Sequence, residues 1–356
     1  MKELRIGILG AGRIGSLHAQ NLVGRVSRAR VLAVADIKEE LARQCARELG
    51  IPQAFGDPLC ILENKEIEAV FICTSTETHA PLIEAAASFG KHIFCEKPIA
   101  LDLPSIDRAL HMVQKAQVKL QIGFNRRFDP NFARIRQMIC DGVIGRPEVL
   151  RITSRDPAPP SLDYLRVSGG IFLDMTIHDF DMARFLLDQE VTEVFSTGSV
   201  LVDQQIGHLG DVDTAVVVLR FRSGSLGIID NSRRACYGYD QRVEVLGEKG
   251  LLQVENPRIE TILYSDRSGA HGSRMFHFFL DRYAESFVRE AQAFVDAVLE
   301  DKPPPVGGKD GRMSVLIAQA AQQSLVERRP VTLEEASSRC RQFSKPYNAD
   351  LHKEAA

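Results

Sequence analysis

The chain has 356 residues, which is long for one hydrophobic core and predicts two domains. Its 44% hydrophobic and 26% charged residues are ordinary for a globular protein, and a formal net charge of -3 predicts no nucleic-acid partner and no anionic membrane. The sequence has no run near the roughly 20 apolar residues of a membrane span and no signal-peptide pattern, so we expect a cytoplasmic protein. Its seven cysteines form no CxxC pair or cluster with histidine, and we predict no metal site.

The first motif follows a short apolar run, Leu4–Leu9, which is typical of a β-strand. It reads Gly10-Ala11-Gly12-Arg13-Ile14-Gly15, fits GxGxxG and leads into a helical pattern. In this setting the glycines allow a tight turn, close approach of the backbone to a diphosphate, and close packing of helix on strand. We therefore predict a dinucleotide site at the helix N-terminus, and a glycine-rich turn that binds nothing is the alternative. The predicted cofactor-binding residues here are Gly10, Gly12, Arg13 and Ile14.

Asp36 lies where a second predicted strand, Val31–Ala35, ends. A carboxylate at this position accepts hydrogen bonds from an adenine-ribose diol and repels a 2′-phosphate. Ile37 has no guanidinium to hold such a phosphate, although the ammonium group of Lys38 is within one residue of it. The sequence therefore favours NAD over NADP as the cofactor.

Strand and helix patterns alternate up to residue 123, which predicts a doubly wound parallel sheet of the Rossmann type and an NAD-binding domain over residues 1–123. Ligands bind such sheets at the carboxyl ends of the strands. Thr74, Ser75 and Glu96 follow or end predicted strands, and we predict that they contact the cofactor. His79 is a further candidate, with helix capping or packing as its alternative role. Lys97 is held before a proline and is a candidate catalytic group, whereas a plain surface lysine is the alternative.

The stretch Ser168–Leu187 predicts one helix that is apolar almost all the way round and therefore buried. Asp174 and His178 nevertheless stand four residues apart on one side of it, with Asp181 further along the same stripe. Buried charges need partners or a wet cleft. These side chains form either a satisfied polar network or part of a reaction site.

Residues 124–335 change character, because strand-like runs with hairpin-like turns replace the strand–helix alternation. They predict an α+β second domain with a largely antiparallel, open-faced sheet. Residues 336–356 are predicted to be a polar C-terminal tail.

Several longer motifs occur in order between residue 4 and about residue 331. With them the chain resembles the Gfo/Idh/MocA oxidoreductase family, and within it the inositol 2-dehydrogenase group. The motifs are GAGRIG at 10–15, EKP at 96–98, FNRRFDP at 124–130, SRDPAPP at 154–160, GGIFLDMTIHD at 169–179, GDVD at 210–213 and YGYDQRVEVLG at 237–247.

The resemblance implies a catalytic group of Lys97, Asp174 and His178, a cis peptide bond before Pro98, and a homotetramer built through the outer face of the second sheet. It implies NAD-dependent oxidation of a cyclitol, with myo-inositol converted to 2-keto-myo-inositol. His178 would accept the proton, Lys97 would donate a hydrogen bond to the reacting oxygen, and Asp174 would hold substrate hydroxyls. Further hydrogen bonds to the ring are expected from Arg127, Asp156 and Tyr237.

Two kinds of alternative function remain open from the sequence. One is a family member with another substrate, such as scyllo-inositol, an aldose pyranose or a glycoside cleaved through transient oxidation. The other is a nonenzymatic dinucleotide sensor, although a pure binder has no use for a proton acceptor such as His178 beside Lys97.

Overall fold

The computed structural model describes residues 2–343 and contains one six-stranded sheet, one seven-stranded sheet and a two-stranded hairpin. All neighbours in the first sheet are parallel, which confirms the predicted doubly wound domain. Its strands are β1 (Leu4–Leu9), β2 (Ala29–Ala35), β3 (Gln53–Phe55), β4 (Ala69–Ile72), β5 (His92–Glu96) and β6 (Leu120–Gly123), in the order β3-β2-β1-β4-β5-β6. The connecting helices are α1 (Arg13–Gly24), α2 (Glu39–Leu49), α3 (Leu59–Leu62), α4 (Thr76–Ser88) and α5 (Leu103–Ala116).

The register of the first sheet brings the carboxyl ends of three strands to one edge. Leu9 at the end of β1 pairs with Ile72 at the end of β4, and Ile72 pairs with Cys95 near the end of β5. The strand order reverses between β1 and β4, which is the switch point where doubly wound sheets bind ligands. The glycine motif and Lys97 therefore lie on the same edge.

The second sheet is mixed, with five antiparallel pairs and one parallel pair, β7 with β10, among its described strands. Its order is β12-β11-β7-β10-β9-β8-β15. The strands are β7 (Pro147–Arg155), β8 (Val191–Ser199), β9 (Thr214–Phe221), β10 (Leu226–Ser232), β11 (Asp240–Gly247), β12 (Gly250–Val254) and β15 (Val331–Thr332), and the hairpin is β13 (Leu263–Asp266) with β14 (Gly269–Gly272). The helices of this part are α6 (Pro130–Cys140), α7 (Leu162–Leu165), α8 (Gly170–Asp174), α9 (Ile177–Leu187), α10 (Gln204–His208), α11 (Phe279–Arg282), α12 (Ala284–Leu299), α13 (Gly308–Glu327) and α14 (Leu333–Phe343).

Helix α12 belongs by sequence to the second predicted domain but packs against the first sheet. Its residues Ala291, Phe294 and Val295 share one apolar cluster with Leu4 and Ile6 of β1. The boundary at residue 123 remains a prediction, to which the structure adds this returning helix. Helix α14 runs through residue 336, where the polar tail was predicted to start, and residues 344–356 of that tail lie outside the described residues.

The prediction of one continuous helix over Ser168–Leu187 is wrong, because the structure divides it into α8 and α9. The amide of His178 bonds the carbonyl of Met175 at 3.3 Å instead of that of Asp174. The carbonyl of Asp174 accepts a hydrogen bond from the Lys97 ammonium at 2.9 Å. A tertiary contact thus replaces one helical hydrogen bond at the break.

Across residues 2–343, none of the helices combines the length and the apolar character that crossing a membrane requires.

Candidate active site

The glycine motif forms a loop between β1 and α1 in which two of the three glycines leave no space for a side chain. Gly10 has a φ of +97°, and a Cβ atom there would lie 2.6 Å from the carbonyl oxygen of Cys73. A Cβ atom on Gly15 would lie 1.9 Å from the carbonyl oxygen of Gly10. At Gly12, by contrast, an added Cβ would meet no atom of the described chain within 4 Å. The two buried glycines hold helix and strand together, and Gly12 leaves open space above the loop.

The N-terminus of α1 is free to receive an anion. Within the described part of the chain, Gly12 gives it no side-chain cap, and its first turn contains no acidic residue. Arg13 is exposed and Ile14 is half-buried at this end of the helix. Unpaired amides and the helix dipole favour a diphosphate here.

Asp36 joins the end of β2 to the glycine loop. Its carboxylate accepts hydrogen bonds from the amides of Ala11 and Lys38, each at 2.8 Å. The neighbouring Ile37 side chain is 92% exposed, which places an apolar surface beside the carboxylate. A carboxylate for the ribose, an apolar surface for the base and an open helix N-terminus for the diphosphate fit an adenine dinucleotide. The residues present therefore fit NAD.

One residue that follows β4, His79, packs against the backbone beside the site. The buried ring of His79 lies between the carbonyl oxygen of Pro98, at 2.7 Å, and that of Thr74, at 3.0 Å. Both ring nitrogens of His79 face backbone carbonyls, which agrees with the alternative role in packing. A direct contact between His79 and the cofactor stays a prediction without support. The Thr74 hydroxyl accepts a hydrogen bond from Thr78 at 2.7 Å, and Ser75 precedes α4.

Glu96, at the end of β5, is part of a buried polar cluster. Its carboxylate oxygen lies 2.8 Å from Nε2 of His18, and a Glu290 oxygen lies 3.9 Å from the same nitrogen. The three possible metal-ligand atoms lie within 4.8 Å of one another, so the described residues do contain a compact set that the sequence reading did not find. Both Glu290 oxygens lack a hydrogen-bond partner among the described residues. Burial, with the nearby Glu96 carboxylate, raises the pKa of Glu290 well above its usual range.

Lys97, Asp174 and His178 come together beside this edge of the first sheet. The Lys97 ammonium lies 2.9 Å from the Asp174 carbonyl oxygen and 3.9 Å from its carboxylate oxygen Oδ1. The peptide bond between Lys97 and Pro98 is cis, as the resemblance implied. The His178 ring packs edge-on against Phe124, with 5.9 Å between ring centroids. Lys97 therefore bonds Asp174 at the helix break, and its charge also acts on His178 of α9.

Two side chains that sequence reasoning missed hold the Asp174 carboxylate. The Tyr164 hydroxyl donates to Oδ1 at 2.6 Å, and the Arg233 guanidinium donates to Oδ2 at 3.0 Å. Arg233 is fully buried, and Asp211 lies 3.9 Å from its other terminal nitrogen. No motif marked Tyr164 or Arg233, although a buried arginine needs a carboxylate partner such as Asp174.

The environment of His178 favours its uncharged form. Burial lowers the pKa of His178 well below its ordinary value, and the positive charges of Lys97 and Arg126 lower it further. Arg126 was not foreseen either, and it is held by Asp179 at 2.6 Å. A neutral imidazole at neutral pH is a competent proton acceptor.

Asp156, a predicted substrate ligand, interacts with the charges of Arg233, Asp174 and Arg126. We call this group of residues the polar chamber. Burial raises the pKa of Asp156 to about 6, while Arg233 lowers it and Asp174 raises it. The Asp156 carboxyl group therefore ionises at a higher pH than a free aspartate does.

The other two predicted substrate ligands lie in different clusters. Arg127 donates two hydrogen bonds to Asp181, at 2.7 and 2.5 Å, and also pairs with Asp310. The Tyr237 hydroxyl donates to Asp240 at 2.7 Å and accepts from Arg155 at 3.0 Å. The described contacts do not bring Arg127 or Tyr237 to Lys97, Asp174 or His178, and their substrate role stays a prediction.

Comparisons with known proteins give this site a family. Residues 4–124 match the oxidoreductase family model with an NAD-binding Rossmann fold, and residues 132–253 match the GFO/IDH/MocA C-terminal domain model. A myo-inositol 2-dehydrogenase from Thermotoga maritima is 53% identical over 93% of this chain and 99% of its own length. An inositol 2-dehydrogenase from Rhizobium meliloti is 46% identical over 93% of this chain and 99% of its own length.

A solved structure with lower sequence identity is also similar over most of the chain. The structure of scyllo-inositol dehydrogenase from Lactobacillus casei with bound NAD(H) and scyllo-inositol is 29% identical, with a TM-score of 0.88, over 94% of this chain and 100% of that one. This chain belongs to the GFO/IDH/MocA oxidoreductase family, and its first domain is the NAD-binding Rossmann domain of that family.

Proposed function

We propose that this chain is an NAD-dependent inositol 2-dehydrogenase that oxidises myo-inositol to 2-keto-myo-inositol. The observation that carries the proposal is the meeting of Lys97, Asp174 and His178 beside the sheet edge that holds the glycine loop. The Thermotoga maritima relative, named a myo-inositol 2-dehydrogenase, supports the choice of substrate.

Oxidation of a secondary alcohol removes a hydride from carbon and a proton from oxygen. NAD supplies the hydride acceptor when it is bound. His178 accepts the proton, because its lowered pKa keeps the imidazole neutral at neutral pH. Lys97 donates a hydrogen bond to the oxygen as negative charge develops there. The chain thus supplies His178 to accept the proton and Lys97 to stabilise the negative charge that develops on the oxygen.

The cofactor would be held by the residues already predicted for it. Gly10, Gly12, Arg13 and Ile14 would hold the diphosphate, and Asp36 would accept hydrogen bonds from the ribose hydroxyls. Thr74, Ser75 and Glu96 lie at the neighbouring strand ends. His79 is also predicted to contact the cofactor, although its ring nitrogens lie against the carbonyl oxygens of Pro98 and Thr74.

Asp174 and Asp156 provide hydrogen-bond acceptors for the hydroxyls of a neutral polyol. The Asp174 carboxylate is fixed in place by Tyr164 and Arg233, so it presents its free lone pairs in a set direction. A ring of hydroxyls needs many such partners and little net charge, which agrees with the mixture of acids and bases in the chamber.

The test is NAD reduction measured over a panel of inositol isomers and hexoses. We expect the highest kcat/KM with myo-inositol. A preference for scyllo-inositol or for a pyranose would replace the substrate and keep the reaction. Binding of NAD without reduction by any polyol would favour the dinucleotide sensor. Lys97→Ala and His178→Ala should each lower kcat by about two to four orders of magnitude while NAD still binds.

We also propose a cytoplasmic homotetramer that forms through the outer face of the second sheet. On this face Phe195, Val218 and Ile228 lie in register across β8, β9 and β10. Phe195 and Val218 are exposed in the single chain, as are Val216 and Leu226 beside them. Light scattering after gel filtration should give four times the chain mass, and Val218→Glu should shift it toward smaller species, whereas a monomeric unmodified protein would contradict the assembly.

A further inference from the structure

The two oxygens of the Asp174 carboxylate have partners of different kinds. Oδ2 is bonded to Arg233, which is fully buried. Oδ1 is bonded to the Tyr164 hydroxyl at 2.6 Å and lies 3.9 Å from the Lys97 ammonium, which is too long for a direct hydrogen bond. A third group that hydrogen-bonds both Lys97 and Oδ1 would span this distance.

Tyr164 reaches this carboxylate from the surface. It lies on the short helix α7 and is 47% exposed, while its hydroxyl bonds Asp174. Leu165 and Ser168 are buried and anchor the segment that carries it. Tyr164 thus contacts Asp174 through its hydroxyl.

The number of lone pairs limits what Asp174 can bind. A carboxylate oxygen offers two acceptor positions, and Tyr164 fills one of those on Oδ1. A second substrate hydroxyl, distinct from the reacting one that gives its proton to His178, fits between Lys97 and Oδ1. Accepting from Lys97 and donating to Oδ1, it would be about 2.8 Å from each atom, which is compatible with their 3.9 Å separation. The remaining position on Oδ1 therefore accommodates a single hydroxyl.

We propose that Tyr164 is a specificity-determining residue. By filling one acceptor position on Asp174, it leaves room for one substrate hydroxyl between Asp174 and Lys97, and the enzyme therefore selects polyols by the position and orientation of that hydroxyl. This inference rests on the proposed function, because it takes the bound molecule to be a polyol.

Tyr164→Phe is the direct test, because it removes one oxygen and keeps the ring. The variant gains a second free acceptor position on Oδ1, so polyols with a different hydroxyl orientation can bind. We expect the ratio of kcat/KM between the best and the second-best polyol of the unmodified enzyme to fall by about tenfold, the scale of one hydrogen bond to a charged group.

The matched control is Tyr264→Phe, which makes the same chemical change at an exposed tyrosine of the β13–β14 hairpin. It should leave the ratio unchanged. An equal loss of kcat/KM for all polyols on Tyr164→Phe would show that Tyr164 only supports Asp174 and would overturn the proposal, as would unchanged kinetics.

The panel of polyols includes aldopyranoses, so the ratio can be measured even if myo-inositol is not the preferred substrate. If the unmodified protein reduces NAD with no polyol, the proposed function fails separately. Dissociation constants of the same polyols in the presence of NADH then give the ratio, and an unchanged ratio in Tyr164→Phe would again overturn the role of Tyr164.

Discussion

Burial and two nearby positive charges disfavour the charged form of His178. Burial is the largest of these effects, and Lys97 and Arg126 add positive charge nearby. The Asp174 carboxylate, which would favour the imidazolium, is bonded to Tyr164 and Arg233. His178 therefore keeps its base form at a lower pH than a free histidine does.

This environment predicts the pH dependence of the reaction. The proton acceptor must be uncharged, so kcat/KM for the polyol should rise with pH and level off. Because the pKa of His178 is lowered, the midpoint of the rise should lie below the usual histidine value of about 6.5. The measurement is the pH profile of kcat/KM, with circular dichroism at each pH to detect acid unfolding. A midpoint above 6.5 in folded protein would remove His178 as the base or reverse its environment.

At the scale of residues, the sequence predicts the groups that lie in motifs and misses those that only the fold brings to the site. Lys97, Asp174 and His178 stand beside glycines, prolines and apolar runs that mark their positions. Tyr164 and Arg233 are 10 and 59 residues from Asp174 in the chain, and no local pattern connects them to it.

At the scale of elements, the β1–α1 unit follows directly from its glycines. Gly10 and Gly15 are required by close approach of backbone atoms, whereas Gly12 faces open space and has a φ of -69° that any residue can adopt. Stability and ligand binding are therefore assigned to different glycines of one loop.

Gly12→Ala should leave the melting temperature of the cofactor-free protein unchanged, because its Cβ would meet no atom of the described chain. It should weaken NAD binding by at least about tenfold, since the diphosphate needs close approach of the backbone there. Gly15→Ala is the contrasting variant, and it should lower the melting temperature because its Cβ would lie 1.9 Å from a carbonyl oxygen. Calorimetric titration with NAD and thermal unfolding separate the two effects. Unweakened NAD binding in Gly12→Ala would contradict the diphosphate position.

The break between α8 and α9 shows what a sequence pattern does not contain. Apolar residues continue at helical spacing from Ile171 to Leu187, so periodicity alone predicts one helix. At the break, the Asp174 carbonyl accepts a hydrogen bond from the Lys97 ammonium, 77 residues away in the chain, and not from the His178 amide. The local pattern favours a continuous helix, but the helix is interrupted where the candidate site makes a tertiary hydrogen bond.

At the scale of the whole molecule, helix α12 ties the end of the chain to its beginning. It packs on the first sheet and brings Glu290 to within 3.9 Å of His18 on α1. His18 in turn contacts Glu96, which is 78 residues away in the chain. The two-domain architecture was predictable from the change of pattern near residue 123. The packing of α12 on the first sheet was not predictable, because the pattern of an amphipathic helix does not indicate which sheet the helix packs against.

Glu290 predicts how overall stability depends on pH. Its pKa is higher in the folded chain than in the unfolded chain, so the folded state binds more protons and the free energy of unfolding falls as pH rises above about 4.3. Glu290→Gln removes this ionisation. The melting temperature of the variant relative to the unmodified protein should therefore increase from about pH 5 to about pH 8, with each pKa unit worth about 1.4 kcal/mol.

The control for this prediction is Glu285→Gln on the exposed side of the same helix. Its melting temperature relative to the unmodified protein should change little with pH, because exposed ion pairs contribute little. A Glu290→Gln difference that stayed constant or shrank with rising pH would show that Glu290 is ionised in the folded protein.

The most direct test of the central claim uses myo-inositol that carries deuterium on carbon 2 in place of hydrogen. The unmodified enzyme should convert it with NAD into 2-keto-myo-inositol and a reduced cofactor, and mass spectrometry should find one deuterium in each reduced cofactor molecule. His178→Ala, assayed beside it, should form both products far more slowly. Reduced cofactor without deuterium, or no reduced cofactor at all, would contradict oxidation of this alcohol by hydride transfer to NAD.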